Sequence, residues 1–282
     1  MLTKIGHVEV WRLLDLHGPF MDPNQLFPNA PADVAEIIED LAAGSICAQT
    51  GLLILPVQGF LLKTPKRTIL VDSCVGNHKT VPAYPDWHQR DDSRFMASLT
   101  AAGLAPADVD VLLCTHLHTD HVGWNTKLED GRWVPTFPNA RYVLPHADEA
   151  HHRQSETDLY QESVLPVIAN GQAEMIEAPA QLSDEVHLIP TPGHTPGHVS
   201  VLIDDGDARA LITGDALHSS AQCSHPDWHF KFDAAPEEAV ATRRELLEKS
   251  AEERRLVIGS HFALPSLGHV DRKEDAFRFL PL

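Results

Sequence analysis

Apolar and polar positions alternate with period two over 5–13. Nearly unbroken apolar runs follow at 51–62 ("GLLILPVQGFLL") and 68–72 ("TILVD"). Further short runs rich in Val, Ile and Leu lie at 109–115, 141–144, 186–190, 198–204, 210–213 and 256–259, each bounded by Gly, Pro or Asp. Runs of this length, composition and punctuation predict strands. Helical periodicity predicts helices over 33–42, 92–102 and 236–250. The second stops at Gly103, with Pro106 beyond it. The third has Pro236 in its first turn and Asp233 as its candidate N-cap. The stretch 20–32 ("FMDPNQLFPNAPA") reads as an irregular loop, and 145–180 as a partly polar helical insertion.

Strands come first in a block, alternate with helices, and form a second block after residue 180. That order predicts two β-rich halves with helices outside and a shared core, an α/β protein of one domain over 1–282. The length suffices to bury a large core.

Composition narrows the function. Lys and Arg number 22 against 40 Asp and Glu, a net charge of −18. Such a surface repels phosphate backbones and argues against nucleic acid as a partner. No apolar run approaches the roughly 20 residues needed to cross a bilayer, so no membrane role is expected. The first residues lack the apolar core of a secretion signal. Cys47, Cys74, Cys114 and Cys223 are widely spaced, which suits free thiols in a reducing cytoplasm. The oddity is eighteen histidines.

Three of them, with an aspartate, fall within six residues of "CTHLHTDHVGWN": His116, His118, Asp120 and His121. Imidazoles and a carboxylate so close together suit a bound cation, with Zn, Fe or Mn the metals these donors accept. Four donors in so short a run crowd one tetrahedral ion and fit two adjacent ions better. Three more candidates each follow a short apolar strand: His194 in "LIPTPGHTPGH", Asp215 in "ALITGD" and His261 in "LVIGSH". Rigid strand ends fix ligands while the loops leave a site open.

The run H-x-H-x-D-H, followed by a distant His, Asp and His in that order, resembles the metallo-β-lactamase superfamily, and the resemblance extends from "TILVDS" to "GSH". It implies a four-layer αβ/βα sandwich with a dinuclear metal site along one edge. In it His116, His118 and His194 would hold one ion, Asp120, His121 and His261 the other, and Asp215 would bridge them. Asp72, ending "ILVDS", matches the family's acid that orients a ligand histidine. The implied chemistry is hydrolysis by a hydroxide held between the metals, most simply zinc with Mn or Fe as alternatives. Asp120 would ligate and steer the nucleophile.

Several branches fit poorly. The zinc β-lactamases mostly carry Cys where this chain has Asp215, and glyoxalase II proteins carry a further domain where only 21 residues follow His261. Ribonuclease branches handle polyanions, and flavodiiron proteins need an appended flavin domain. The lactonase and organophosphate hydrolase branches remain. N-acyl homoserine lactonases place a Tyr three residues after the bridging Asp, where this chain has His218; "GDALH" is closer to the methyl parathion hydrolase-like group. His218 is thus a candidate catalytic proton donor or a support beneath the metals.

The expectation is a metal-dependent hydrolase of a small ester or lactone, with a phosphotriester or activated aryl substrate as the alternative. A non-catalytic metal-binding protein on the same scaffold is a second alternative. Phe20, Met21, Trp87, Trp124, Trp228 and Phe262 are candidate pocket aromatics and apolars, and 145–180, with His146, His151 and His152, a candidate lid. A homodimer is possible.

Overall fold

The computed structural model of the chain describes residues 1–282 except Glu156. Two compact units emerge, one made of Met1–Asp15 and Val57–Glu185, the other of Leu16–Pro56 and Val186–Leu282.

The sheet of the first unit runs in the order Thr3–Ile5, Val8–Met21, Leu53–Lys63, Thr68–Val71, Val111–Leu113, Arg141–Pro145, Ala173–Ile176. From Thr68–Val71 onward its neighbours are parallel. Parallel strands covered on both faces read as continuous apolar runs, which is the pattern at "TILV" and "VLL". The strand predicted over 5–13 is longer, reaching Met21, and a short helix, Pro23–Leu26, interrupts the predicted loop 20–32.

The insertion is helical only at first. Helices His146–Ser155 and Leu165–Ala169 give way to Ala173–Ile176, which pairs in parallel with Arg141–Pro145. Four residues are too short to show a period, so tertiary pairing decided this strand.

The second unit orders its strands Val186–Pro190, Val199–Asp205, Ala208–Ile212, Leu256–Ile258, Leu267–Lys273, Ala276–Pro281, antiparallel except for Ala208–Ile212 beside Leu256–Ile258. The last two strands were not predicted; their charged turn "RKED" hid a hairpin. Helix Pro236–Glu252 packs Leu246 and Leu247 into a cluster with Val257, Phe262, Val270 and Phe277. Its N-cap is Ala235, not Asp233, whose carboxylate is engaged elsewhere.

Backbone contacts set the loops that carry the candidate ligands. In the first unit, Ser73 N–H donates to His121 O, Gly123 N–H to Cys74 O and Trp124 N–H to Ser73 O, each at 2.7–2.8 Å. A Cβ on Gly123 would stand 1.7 Å from Val75 O, so only glycine allows this approach. Asp72 itself holds φ +60°, a left-handed conformation that a non-glycine residue adopts at a cost of about 1–3 kcal/mol. In the second unit, Gly193, at φ +124°, lies against the backbone of Ala239 and admits no side chain.

Candidate active site

The first unit gathers His116, His118, Asp120 and His121. Strand Val111–Leu113 ends just before Thr115, whose N–H donates to Asp72 Oδ1 at 2.7 Å. Thr115 Oγ1 donates to Asp72 Oδ2 at 2.9 Å and lies 3.2 Å from His116 Nδ1. A carboxylate only accepts, so the hydroxyl proton is committed to Asp72. The Thr115 oxygen must then accept from His116 Nδ1–H. Asp72 Oδ2 also lies 2.9 Å from His121 Nδ1. The rings of His116 and His121 have centroids 4.0 Å apart, those of His116 and His118 4.7 Å. His121 Nε2 lies 3.7 Å from Asp120 Oδ2.

The second unit gathers His194, Asp215, His218 and His261. His261 Nδ1 lies 2.8 Å from the Pro56 carbonyl, an acceptor only, so Nδ1 is the donor. His194 Nδ1 donates to Asp233 Oδ1 at 3.0 Å. Asp215 divides its carboxylate: Oδ1 is 3.1 Å from His261 Nε2, and Oδ2 is 3.4 Å from His194 Nε2 and 3.1 Å from His218 Nε2. Donor atoms of His194, Asp215 and His218 all lie within 4.8 Å of one another. Behind them His198 Nε2 accepts Asp215 N–H at 2.8 Å, and its Nδ1 is 2.8 Å from Thr191 Oγ1.

These tautomers test the fit to a metal. In His116, His194 and His261 the Nδ1 proton is tied off, so each neutral ring presents Nε2 as a lone pair. For His194 and His261 that lone pair faces an Asp215 oxygen 3.1–3.4 Å away in buried surroundings. Two acceptors so placed repel unless a second proton or a cation stands between them. Imidazole nitrogens with aspartate oxygens form the donor set that binds divalent transition metals. The residues fit the group.

His218 is buried, its backbone N–H donating to Gln222 Oε1 at 2.8 Å. Its ring stacks on Phe230 with centroids 3.4 Å apart and planes at 13°. Burial pushes its pKa down to about 4, so the ring is neutral at pH 7. A neutral ring facing a carboxylate donates, which places the His218 proton on Nε2, toward Asp215.

Trp87, Trp124, Trp228 and Phe262 are buried; Phe20 and Met21 are half-buried. Of the insertion histidines, the His152 ring stands 6.2 Å from that of His118, while His146 is more than half exposed and His151 exposed. All four cysteines are free and buried. Burial raises the thiol pKa of Cys74 and Cys114, and pushes that of Cys223 up to about 12, which leaves these three unreactive.

Sequence reasoning named the candidate donors but missed what holds three of them. Asp233 partners His194 across 39 residues, and it was assigned to a helix cap. The Pro56 carbonyl that orients His261 is main chain and has no sequence signature. Thr115 adjoins its histidine, and a hydroxyl next to a ligand was the one usable signal.

A donor set of this kind on an α/β scaffold of this topology defines a metal-dependent hydrolase. The sequence profile of the Metallo-beta-lactamase superfamily matches residues 54–261, and the chain belongs to that family. An N-acyl homoserine lactonase from a Bacillus species is 30% identical over 221 residues, covering 74% of this chain and 82% of the lactonase. One from Bacillus cereus is 28% identical over 238 residues, covering 80% and 88%. Among solved structures, the hydrolase AbOPH of the β-lactamase superfamily superposes with a TM-score of 0.82 at 25% identity, covering 99% of this chain and 96% of that one. AidC, described as a dizinc quorum-quenching lactonase, shares the fold with a TM-score of 0.80 at 22% identity, covering 99% and 96%. Among the described residues, no helix is long and apolar enough to cross a membrane.

Proposed function

We propose that His116, His118, Asp120, His121, His194, Asp215 and His261 serve a dinuclear zinc centre that hydrolyses a small neutral ester or lactone. In this reading residues 1–282 work as a single metallo-β-lactamase-like domain, with 145–180 as its insertion. The observation that carries it is the divided carboxylate of Asp215, one oxygen toward His194 and the other toward His261. That is the arrangement needed if His116, His118 and His194 hold one ion, Asp120, His121 and His261 the second, and Asp215 both. The dizinc description of AidC and the lactonase relatives support zinc and a lactone.

Two divalent ions held there would supply a water whose pKa is lowered to about 7 and would polarise a carbonyl or phosphoryl oxygen. The chain's own residues do the rest. Asp120 keeps 14% of its side chain exposed. It accepts the proton that water loses on attacking the carbonyl carbon. When the acyl C–O bond breaks, that proton passes to the departing alkoxide, giving a hydroxy acid from a lactone or acid plus alcohol from an ester. Asp72, Asp233 and the Pro56 carbonyl hold three imidazoles with Nε2 forward. The position of His218 three residues after Asp215 supports contact with the substrate carbonyl. Its hydrogen bond to Oδ2 supports a role in aiming Asp215.

Metal analysis of purified protein, paired with a panel of lactones, aryl esters and phosphotriesters, tests the reading. About two ions per chain and lactone or ester turnover are expected. One ion at full occupancy overturns the dinuclear assignment, and turnover of phosphotriesters alone overturns the substrate class. Metal-replete protein inert toward the whole panel points to a binding role.

A further inference from the structure

Asp233 is fully buried at its side chain, where its carboxylate accepts two hydrogen bonds and faces a guanidinium. His194 Nδ1–H approaches Oδ1 at 3.0 Å. On the other oxygen, Oδ2, the Phe230 backbone N–H approaches at 2.9 Å and Arg243 Nη2 at 3.6 Å. Arg243 is in turn held rigidly. It is 0% exposed, its Nε donates to Ala216 O at 2.9 Å, and its Nη1 donates to Pro226 O and Trp228 O at 2.9 and 2.7 Å. The Phe230 N–H and the guanidinium can only donate. The Oδ2 position therefore accepts only, whatever side chain occupies it.

We infer that Asp233 is a positioning residue that sets the tautomer of His194, and that the Phe230 N–H and Arg243 fix the polarity with which it does so. A neutral imidazole carries one ring proton. With a carboxylate at Nδ1 that proton stays on Nδ1, and Nε2 is left with the lone pair a metal ligand needs. The inference rests on His194 being a ligand, as proposed above, but the tautomer itself can be read without any metal.

The polarity has an unusual consequence. In Asp233→Asn the amide has one acceptor and one donor end. The Phe230 N–H and Arg243 claim the oxygen, so the amide NH₂ must point at His194 Nδ1. His194 then accepts at Nδ1 and carries its proton on Nε2, the atom the metal needs. In Asp233→Ala the acceptor at Nδ1 is gone while Asp215 Oδ2 still stands 3.4 Å from Nε2, so the ring is no longer pinned to Nδ1–H. The isosteric variant is thus expected to be worse than the truncation, the reverse of what a packing role gives.

The experiment has two readouts. The tautomer is read in metal-free protein from the ¹⁵N shifts of the imidazole, with the His194 signal assigned by its absence in His194→Gln. Zinc affinity is read by chelator competition on the full chain. The expected result is Nδ1–H in the parent and Nε2–H in Asp233→Asn. Zinc affinity should fall roughly 10–100-fold in Asp233→Ala, the usual cost of losing a ligand's partner. In Asp233→Asn it should fall about tenfold further, because the ring must give up a buried hydrogen bond to free Nε2.

Nε2–H on His194 in the unaltered protein overturns the inference, and needs no variant to fold. So does an Asp233→Asn variant that holds zinc as well as or better than Asp233→Ala. A tautomer that switches as described while zinc affinity stays at the parent value upholds the tautomer role and overturns His194 as a ligand.

Discussion

Replacing Arg243 by Met removes a charge from the inside of the second unit without opening a large hole, since the two side chains are similar in length. Three backbone carbonyls lose a charged donor, at 2.7–2.9 Å in the native protein, and the Asp233 carboxylate loses its counter-ion at 3.6 Å. Hydrogen bonds from charged donors contribute about 1.5–3 kcal/mol each, but Met also escapes the cost of burying a guanidinium. Measurements on other buried pairs broken from one side put the net loss at about 3–5 kcal/mol. At about 2–4 °C per kcal/mol for chains approaching this size, Tm should fall by roughly 6–20 °C. Urea unfolding of metal-free protein, by linear extrapolation, isolates this loss from any metal contribution. Arg243→Lys should recover less than half of it, because an ammonium cannot reach carbonyls lying in three directions. A stability within about 1 kcal/mol of the parent for Arg243→Met would show that the buried guanidinium does not hold these segments together.

Asp215→Ala should lose more metal and more activity than a substitution of any one of the histidines, since it removes the anion shared between two cations; retention of two ions by elemental analysis would refute the bridging role. His218→Ala should reduce kcat about 10²–10³-fold with metal content intact if the ring touches the substrate oxyanion, or weaken metal binding roughly 10–100-fold if it aims Asp215. No change in either quantity removes His218 from the site. His218→Tyr restores the residue type of the lactonases, and a gain in homoserine lactone turnover would mark this position as a determinant of substrate choice. Lys79 is buried against Thr126, the Glu162 carbonyl and the Trp133 ring, and burial lowers its pKa from 10.5 to about 7. Between about pH 7 and 10.5 the unfolded chain therefore binds the proton that the folded one has released, and stability should rise with pH by up to about 5 kcal/mol. Urea midpoints at several pH values, flat in Lys79→Met and rising in the parent, are the expected outcome; a parallel rise in both would assign the effect to other groups.

The seven candidate donors stood out because each is a chemically distinctive residue placed at or soon after the end of a short apolar strand, a local pattern that survives without knowing the fold. The strands themselves were legible where apolar runs were continuous, as at 68–72 and 186–190. Helix 236–252 was legible through its period and its leading proline. Charge and composition turned attention from polyanions to small neutral substrates only as an expectation; chemistry within the site, not surface charge, decides that point.

What the sequence left open was partnership across long separations. Asp233 sits near a helix start and is the residue type that caps helices, so local reasoning assigned it there. The fold instead places it on His194, 39 residues away in sequence. Ala173–Ile176 is a strand only because Arg141–Pro145 lies beside it with open hydrogen-bonding groups. The Pro56 carbonyl orients His261 across 205 residues and is invisible in any side-chain pattern. Side-chain chemistry and periodicity are properties of neighbouring residues, and the sequence by itself determined them: the candidate donor set, the strands that carry it and the reaction class. Which ring nitrogen each histidine presents depends on what faces the other nitrogen, and only the tertiary structure decided that.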